Sequence, residues 1–64
     1  MVYFEIFKNK NNYAQPYWWV IKSLGNHQTL ATSEMYTSKQ NALNAINLVK
    51  ANASTAKVYD STGE

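Results

Sequence analysis

Polar and apolar positions alternate from Val2 to Phe7, where the chain reads VYFEIF. In an extended backbone Phe4 and Ile6 point one way, and Tyr3, Glu5 and Phe7 point the other. The run is β-branched and aromatic, so it predicts a strand. A polar loop, NKNN at Asn9–Asn12, follows. Pro16 has no N–H to give a ladder, which places it at the start of a second strand or on an edge. Two further apolar runs flank Gly25-Asn26. That pattern predicts a hairpin with a two-residue turn, in which Gly25 supplies the positive φ. The register then sets Leu24 opposite His27, Lys22 opposite Thr29, Ile21 opposite Leu30, Val20 opposite Ala31, and Trp19 opposite Thr32. One face carries Tyr17, Trp19, Ile21, Leu30 and Thr32. The other carries Trp18, Val20, Lys22, Leu24, His27, Thr29 and Ala31. The first face is the expected core, because it holds large apolar residues on both strands.

After Met35 the period changes to that of a helix. Thr37-Ser38-Lys39-Gln40 fits a capping box, with Thr37 as N-cap and Gln40 three residues on. Ala42, Ala45, Ile46 and Val49 then share one face, flanked by Leu43 and Leu48. Asn41, Asn44 and Asn47 recur on the polar side. Asn is a poor helix former, so tertiary packing must hold this helix. Its end is expected near Ala51–Asn52. Ala56–Asp60 predicts a short fourth strand, and Ser61–Glu64 a frayed tail. The expected fold class is α+β: one domain over residues 1–60, in the order β-β-β-α-β, with an antiparallel sheet and one helix packed on one face.

FEIFK at Phe4–Lys8, YWWVIK at Tyr17–Lys22 and Ala31-Thr32-Ser33-Glu34 followed by Tyr36, Ser38 and Lys39 together resemble the YegP-like family of small bacterial and archaeal proteins. FEIFK at Phe4–Lys8 is similar to the family's FEIYKD, and YWWVIK at Tyr17–Lys22 to its YRWRLKA. Ala31-Thr32-Ser33-Glu34, Tyr36, Ser38 and Lys39 match a segment resembling ATSEGYxSK. Ile46 and Val49-Lys50 match the helix end. The likeness covers residues 3–60. It implies a fold and an assembly, with no assigned activity: some members carry two tandem copies of the unit, and single-copy members associate as dimers. The chain departs from the pattern in three places. Its turn is one residue longer than the family's usual Asn-Gly version. Met35 stands where relatives usually have Gly. Trp18 and Val20 stand where many have Arg, so a role resting on a basic strand is not carried over.

Length sharpens the expectation of assembly. A 64-residue chain buries only about 60% of its unfolded surface and is marginal alone. Disulfides, a metal or oligomerisation usually compensate. There is no Cys and only one His, so disulfides and thiolate metal sites are excluded and no zinc site is expected. Oligomerisation remains, with nine aromatic residues to fill a core or an interface. No apolar run approaches the roughly 20 residues of a membrane span. The N-terminus enters a strand at once, so no signal peptide is expected, and the expected compartment is the cytoplasm.

Charge adds little. The net charge is +2 and the sequence pI about 9.0, yet all six basic residues are Lys. Without Arg there is no bidentate reader of phosphate or guanine. The lysines read as scattered along the chain, with Lys8 and Lys10 the only close pair, so nucleic acid is an unlikely partner. His27 is expected in an exposed turn. Glu34 is expected to make a structural hydrogen bond near the helix start. Ser33 and Ser38 have no base beside them, and nothing brings Glu34, Tyr36 and His27 together. No catalytic residue, cofactor or metal is therefore expected. Phe7, Trp18, Val20 and Ala31 form a half-apolar patch on the second face, of the kind that marks an interface. The leading expectation is a non-enzymatic, homodimeric interaction module whose further partner is unknown. The alternative is a nucleic-acid-binding accessory protein with exposed aromatics as stacking platforms and Lys around them.

Overall fold

The alternating run at the N-terminus needs a neighbour for its backbone groups, and it finds one in the Tyr17–Ser23 run. In the computed structural model, which describes all 64 residues, β1 (Val2–Lys8) and β2 (Tyr17–Ser23) pair antiparallel along their full length. β3 (Thr29–Thr32) pairs with the other side of β2, giving the strand order β1-β2-β3. Pro16 is buried immediately before β2, and its carbonyl accepts the Asn9 N–H at 2.7 Å, closing the β1–β2 connection. The ladder on β2 continues past β3, because Tyr17 and Tyr36 exchange both backbone hydrogen bonds, at 3.2 and 2.7 Å.

A single helix, α1 (Lys39–Asn52), lies on one face of this sheet. Ala42 and Ile46 are buried against Trp19, with Phe4, Ile6, Tyr17, Ile21, Tyr36, Leu43, Ala45 and Val49 packed around them. The small Ala42, with no accessible surface, lets the helix axis come close to the Trp19 ring. Phe4 meets that ring edge-on, with centroids 5.6 Å apart, a favoured aromatic geometry. Leu48 is 66% exposed, outside the stripe as its flanking position implies. The antiparallel sheet with one helix on one face is the α+β fold expected.

Four local expectations are corrected. The two-residue turn does not form. Ser23 N–H bonds to the Gln28 carbonyl and His27 N–H to the Ser23 carbonyl, both at 2.9 Å, which closes a four-residue loop, Leu24–His27. The Asn26 side chain accepts the Gln28 N–H at 3.2 Å, and such Asn side-chain turns compete with the tighter hairpin. The left-handed residue is His27, at φ 58°, rather than Gly25. Further along, Lys22 pairs with Thr29 as expected, but Ile21 pairs with Ala31 and Val20 with Thr32. Leu30 is thus the extra residue of a bulge; it is 54% exposed and outside the core.

The helix cap is Ser38, one residue later than expected: its Oγ accepts the Asn41 N–H at 3.0 Å. Thr37 instead holds the Asn41 side chain at 3.1 Å, and Gln40 reaches forward to Asn44 rather than back to the cap. Finally, no fourth strand forms. After a single 3-10 turn at Ala53–Thr55, residues 56–64 run exposed and unpaired. A β-favouring sequence makes a strand only where another strand offers its ladder, and here the segment lies along neither edge of the sheet.

Candidate functional site

The helix-free face of the sheet is built by alternation. Phe7 pairs with Trp18, Glu5 with Val20, and Tyr3 with Lys22 across β1 and β2. Partners directly opposite share a face, so these six residues project away from α1. The Phe7 and Trp18 rings stack at 5.2 Å with 22° between their planes. Val20 is buried beside them. Glu5 and Lys22 form an ion pair at 3.3 Å. At the hairpin end, the Tyr3 hydroxyl and His27 Nδ1 are hydrogen-bonded at 2.9 Å, with the rings edge to face. The face therefore grades from aromatic at one end to polar at the other.

Of the four expected interface residues, Phe7, Trp18 and Val20 come together here and Ala31 does not. The bulge at Leu30 sets Ala31 opposite Ile21, on the helix side, and puts Thr32 next to Val20 instead. The one-residue shift carries a physical cost for the expectation, since it exchanges the faces of everything beyond it.

The remaining polar candidates stay apart. Ser33 Oγ accepts the Trp19 N–H at 2.9 Å and donates to the Glu34 carbonyl at 2.7 Å; it replaces a missing ladder group on β2. The Glu34 side chain is exposed and makes no hydrogen bond. Tyr36 lies beside Tyr17 while His27 lies beyond Lys22, five residues along β2, or about 17 Å. In the exposed tail the Asp60 carboxyl lies below its ordinary range. The Thr62 hydroxyl and backbone N–H hold it low. No group of three or more His, Cys, Asp or Glu is placed to hold a metal ion. No helix is long and apolar enough to cross a membrane.

One feature was not foreseen from the sequence. Where β1 ends, β2 begins and α1 starts, two neighbouring clefts open. One, of about 320 Å³, is lined by Ile6, Phe7, Lys8, Tyr17 and Lys39. The other, of about 300 Å³, shares Lys8 and Tyr17 and reaches Lys10 and Thr37. Lys8 sits over the Tyr17 ring, 5.5 Å from its centre. Three lysines that read as scattered thus line two adjoining clefts, with Lys8 common to both. The signal lay in the topology: antiparallel pairing of β1 with β2 brings Lys8 to Tyr17, and the Tyr17–Tyr36 bridge brings the helix start to the same end.

Comparison with known proteins gives a consistent picture. Residues 14–60 match the model of a domain described as "Domain of unknown function (DUF1508)". The chain is 39% identical over 59 residues to UPF0339 protein NMB1088 of Neisseria meningitidis serogroup B, covering 92% of this chain and 98% of that protein. It is 39% identical, with the same coverage, to UPF0339 protein NMA1193/NMA1859 of N. meningitidis serogroup A. It is 42% identical over 59 residues to UPF0339 protein MS1092 of Mannheimia succiniciproducens, covering 92% of this chain but 49% of that longer protein. No solved structure matches the chain.

Proposed function

This chain belongs to the DUF1508 family, the UPF0339 group that its YegP-like motifs resemble, and from that premise we propose that it is a non-enzymatic self-association module of the cytoplasm that works as a two-fold homodimer. The observation that carries this reading is surface. The chain exposes 5238 Å², about a quarter more than the roughly 4,200 Å² of a compact 7.3 kDa monomer. That excess is of the order of one partner's share of a stable interface, about 800 Å². Only Trp19, Val20, Ala42 and Ile46 form the buried apolar set, while Val58 and Tyr59 are 95% and 81% exposed.

A second copy offers cover for these surfaces. On the helix-free face the patch is the half-buried Phe7 and Trp18 beside the already buried Val20, with Thr32 in the place expected of Ala31. Two-fold symmetry, the commonest arrangement of homo-oligomers, sets a patch against its own copy. The longer UPF0339 relative, of which this chain covers about half, supports the reading, since a chain of that length has room for two such units in one polypeptide.

The test is sedimentation at micromolar concentration together with melting at several dilutions. A dimer is expected, with a melting temperature that falls on dilution. Trp18→Lys should shift the equilibrium towards monomer. A 7.3 kDa monomer whose melting temperature ignores dilution overturns the proposal.

A further inference from the structure

The paired clefts at the start of α1 have one-sided chemistry. Lys8, Lys10 and Lys39 line them, half of the six lysines in the chain. No carboxylate lines either cleft, and the one ion pair in the molecule, Lys22 with Glu5, lies on the helix-free face. Like charges gathered around a concavity focus their potential into it and raise the local concentration of anions. An ammonium is a compact point charge with three freely rotating donors, and in that form Lys serves as a phosphate binder without the bidentate geometry of Arg. The rest of the cleft that Lys8 and Lys39 share is apolar: Ile6, Phe7 and the Tyr17 ring. Its volume, about 320 Å³, stands at the small end of the range for small-molecule sites. It has room for one ring and its substituent, and none for a dinucleotide.

We infer that this cleft binds a small organic phosphate, with the phosphate held by Lys8 and Lys39, Lys10 adding positive charge from the adjoining cleft, and an apolar body resting on Ile6, Phe7 and Tyr17. The site is separate from the assembly surface proposed above, except that Phe7 stands between the two. Both Lys8 and Lys39 are exposed, so neutral substitution leaves the fold intact and reads binding alone.

Phenyl phosphate is the probe, titrated into the full chain at neutral pH and low salt and followed by amide proton–nitrogen correlation spectra. Saturable shifts are expected at Lys8, Tyr17 and Lys39, with weaker binding of inorganic phosphate and none of phenol. Lys8→Gln and Lys39→Gln should each weaken binding about fivefold or more, the loss of one charge-assisted contact at a partly screened site. Lys50→Gln, near the other end of α1, should leave binding unchanged. Shifts that do not saturate, that spread evenly over all lysines, or that survive both cleft substitutions overturn the inference. So does tighter, length-dependent binding of short single-stranded oligonucleotides at the same residues, which would give the lysines to a nucleic-acid backbone instead.

Discussion

His27 occupies the left-handed region that glycine fills in most tight turns, while Gly25 beside it does not. The consequence is opposite to what the Gly-Asn pair suggests. A Cβ added at Gly25 would meet nothing within 4 Å, so Gly25→Val should leave the melting temperature within about 2 °C of the parent. A β-branched residue at φ 58° is strained by about 1–3 kcal/mol, so His27→Val should lower melting by several degrees. His27→Gly should fall between them, since relief of strain offsets loss of the hydrogen bond to Tyr3. Thermal melts of the three variants decide the order. Trp19 carries a second residue-scale oddity: its Nε1 is buried without a hydrogen-bond partner. An orphaned donor costs about 1–3 kcal/mol. Trp19→Phe removes it along with some packing, so its net cost should be within about 1 kcal/mol, against about 3–5 kcal/mol for Trp19→Ala. A chemical denaturation curve for each variant measures the contrast.

At the scale of elements, periodicity made the sequence legible and single-residue chemistry did not. β1, β2 and the Ala42–Ile46 stripe were all readable, because alternation and helical spacing average over many side chains. The turn, the bulge and the cap each hang on one hydrogen bond, and neighbouring residues compete for it. Thr37 and Ser38 are both good N-caps; which one serves depends on where Tyr36 is fixed by its bridge to Tyr17. Ser38→Ala should therefore cost about 1 kcal/mol. Thr37→Ala, which loses only a contact to the Asn41 side chain, should cost less, and urea titration of the two variants checks the difference. Ile46→Asp should abolish the cooperative thermal transition, because it sets a charge against Trp19 in a core too small to absorb it.

At the scale of the whole molecule, the shape departs from that of a self-sufficient domain. The radius of gyration is 13.7 Å, against about 10.7 Å for a compact chain of this length, and the longest dimension is 41 Å. The outlying mass is the segment after Thr55, whose β-favouring residues have no ladder within their own chain. Sequence alone could not show this, since strand propensity reports a residue's fitness for a sheet and says nothing of whether an edge lies within reach. Gathering of Lys8, Lys10 and Lys39 was hidden for a related reason: they line adjoining clefts only once the register is set. Val58→Asp should leave the circular dichroism of the dilute chain unchanged, because that side chain touches little, yet weaken self-association in sedimentation if the tail is part of what a second copy covers.

The bulge at Leu30 has a consequence for how far such sheets can grow. β3 is four residues long and interrupted by its extra residue, whereas β1 offers seven in regular register. Short, bulged edges are poor templates for another strand. In the vocabulary of polymer chemistry, a unit with two reactive ends propagates and a unit with one terminates. This chain has one long, regular edge, so edge-to-edge addition, were it to occur, would stop after a single step, and open-ended fibre growth would lack a second site from which to continue.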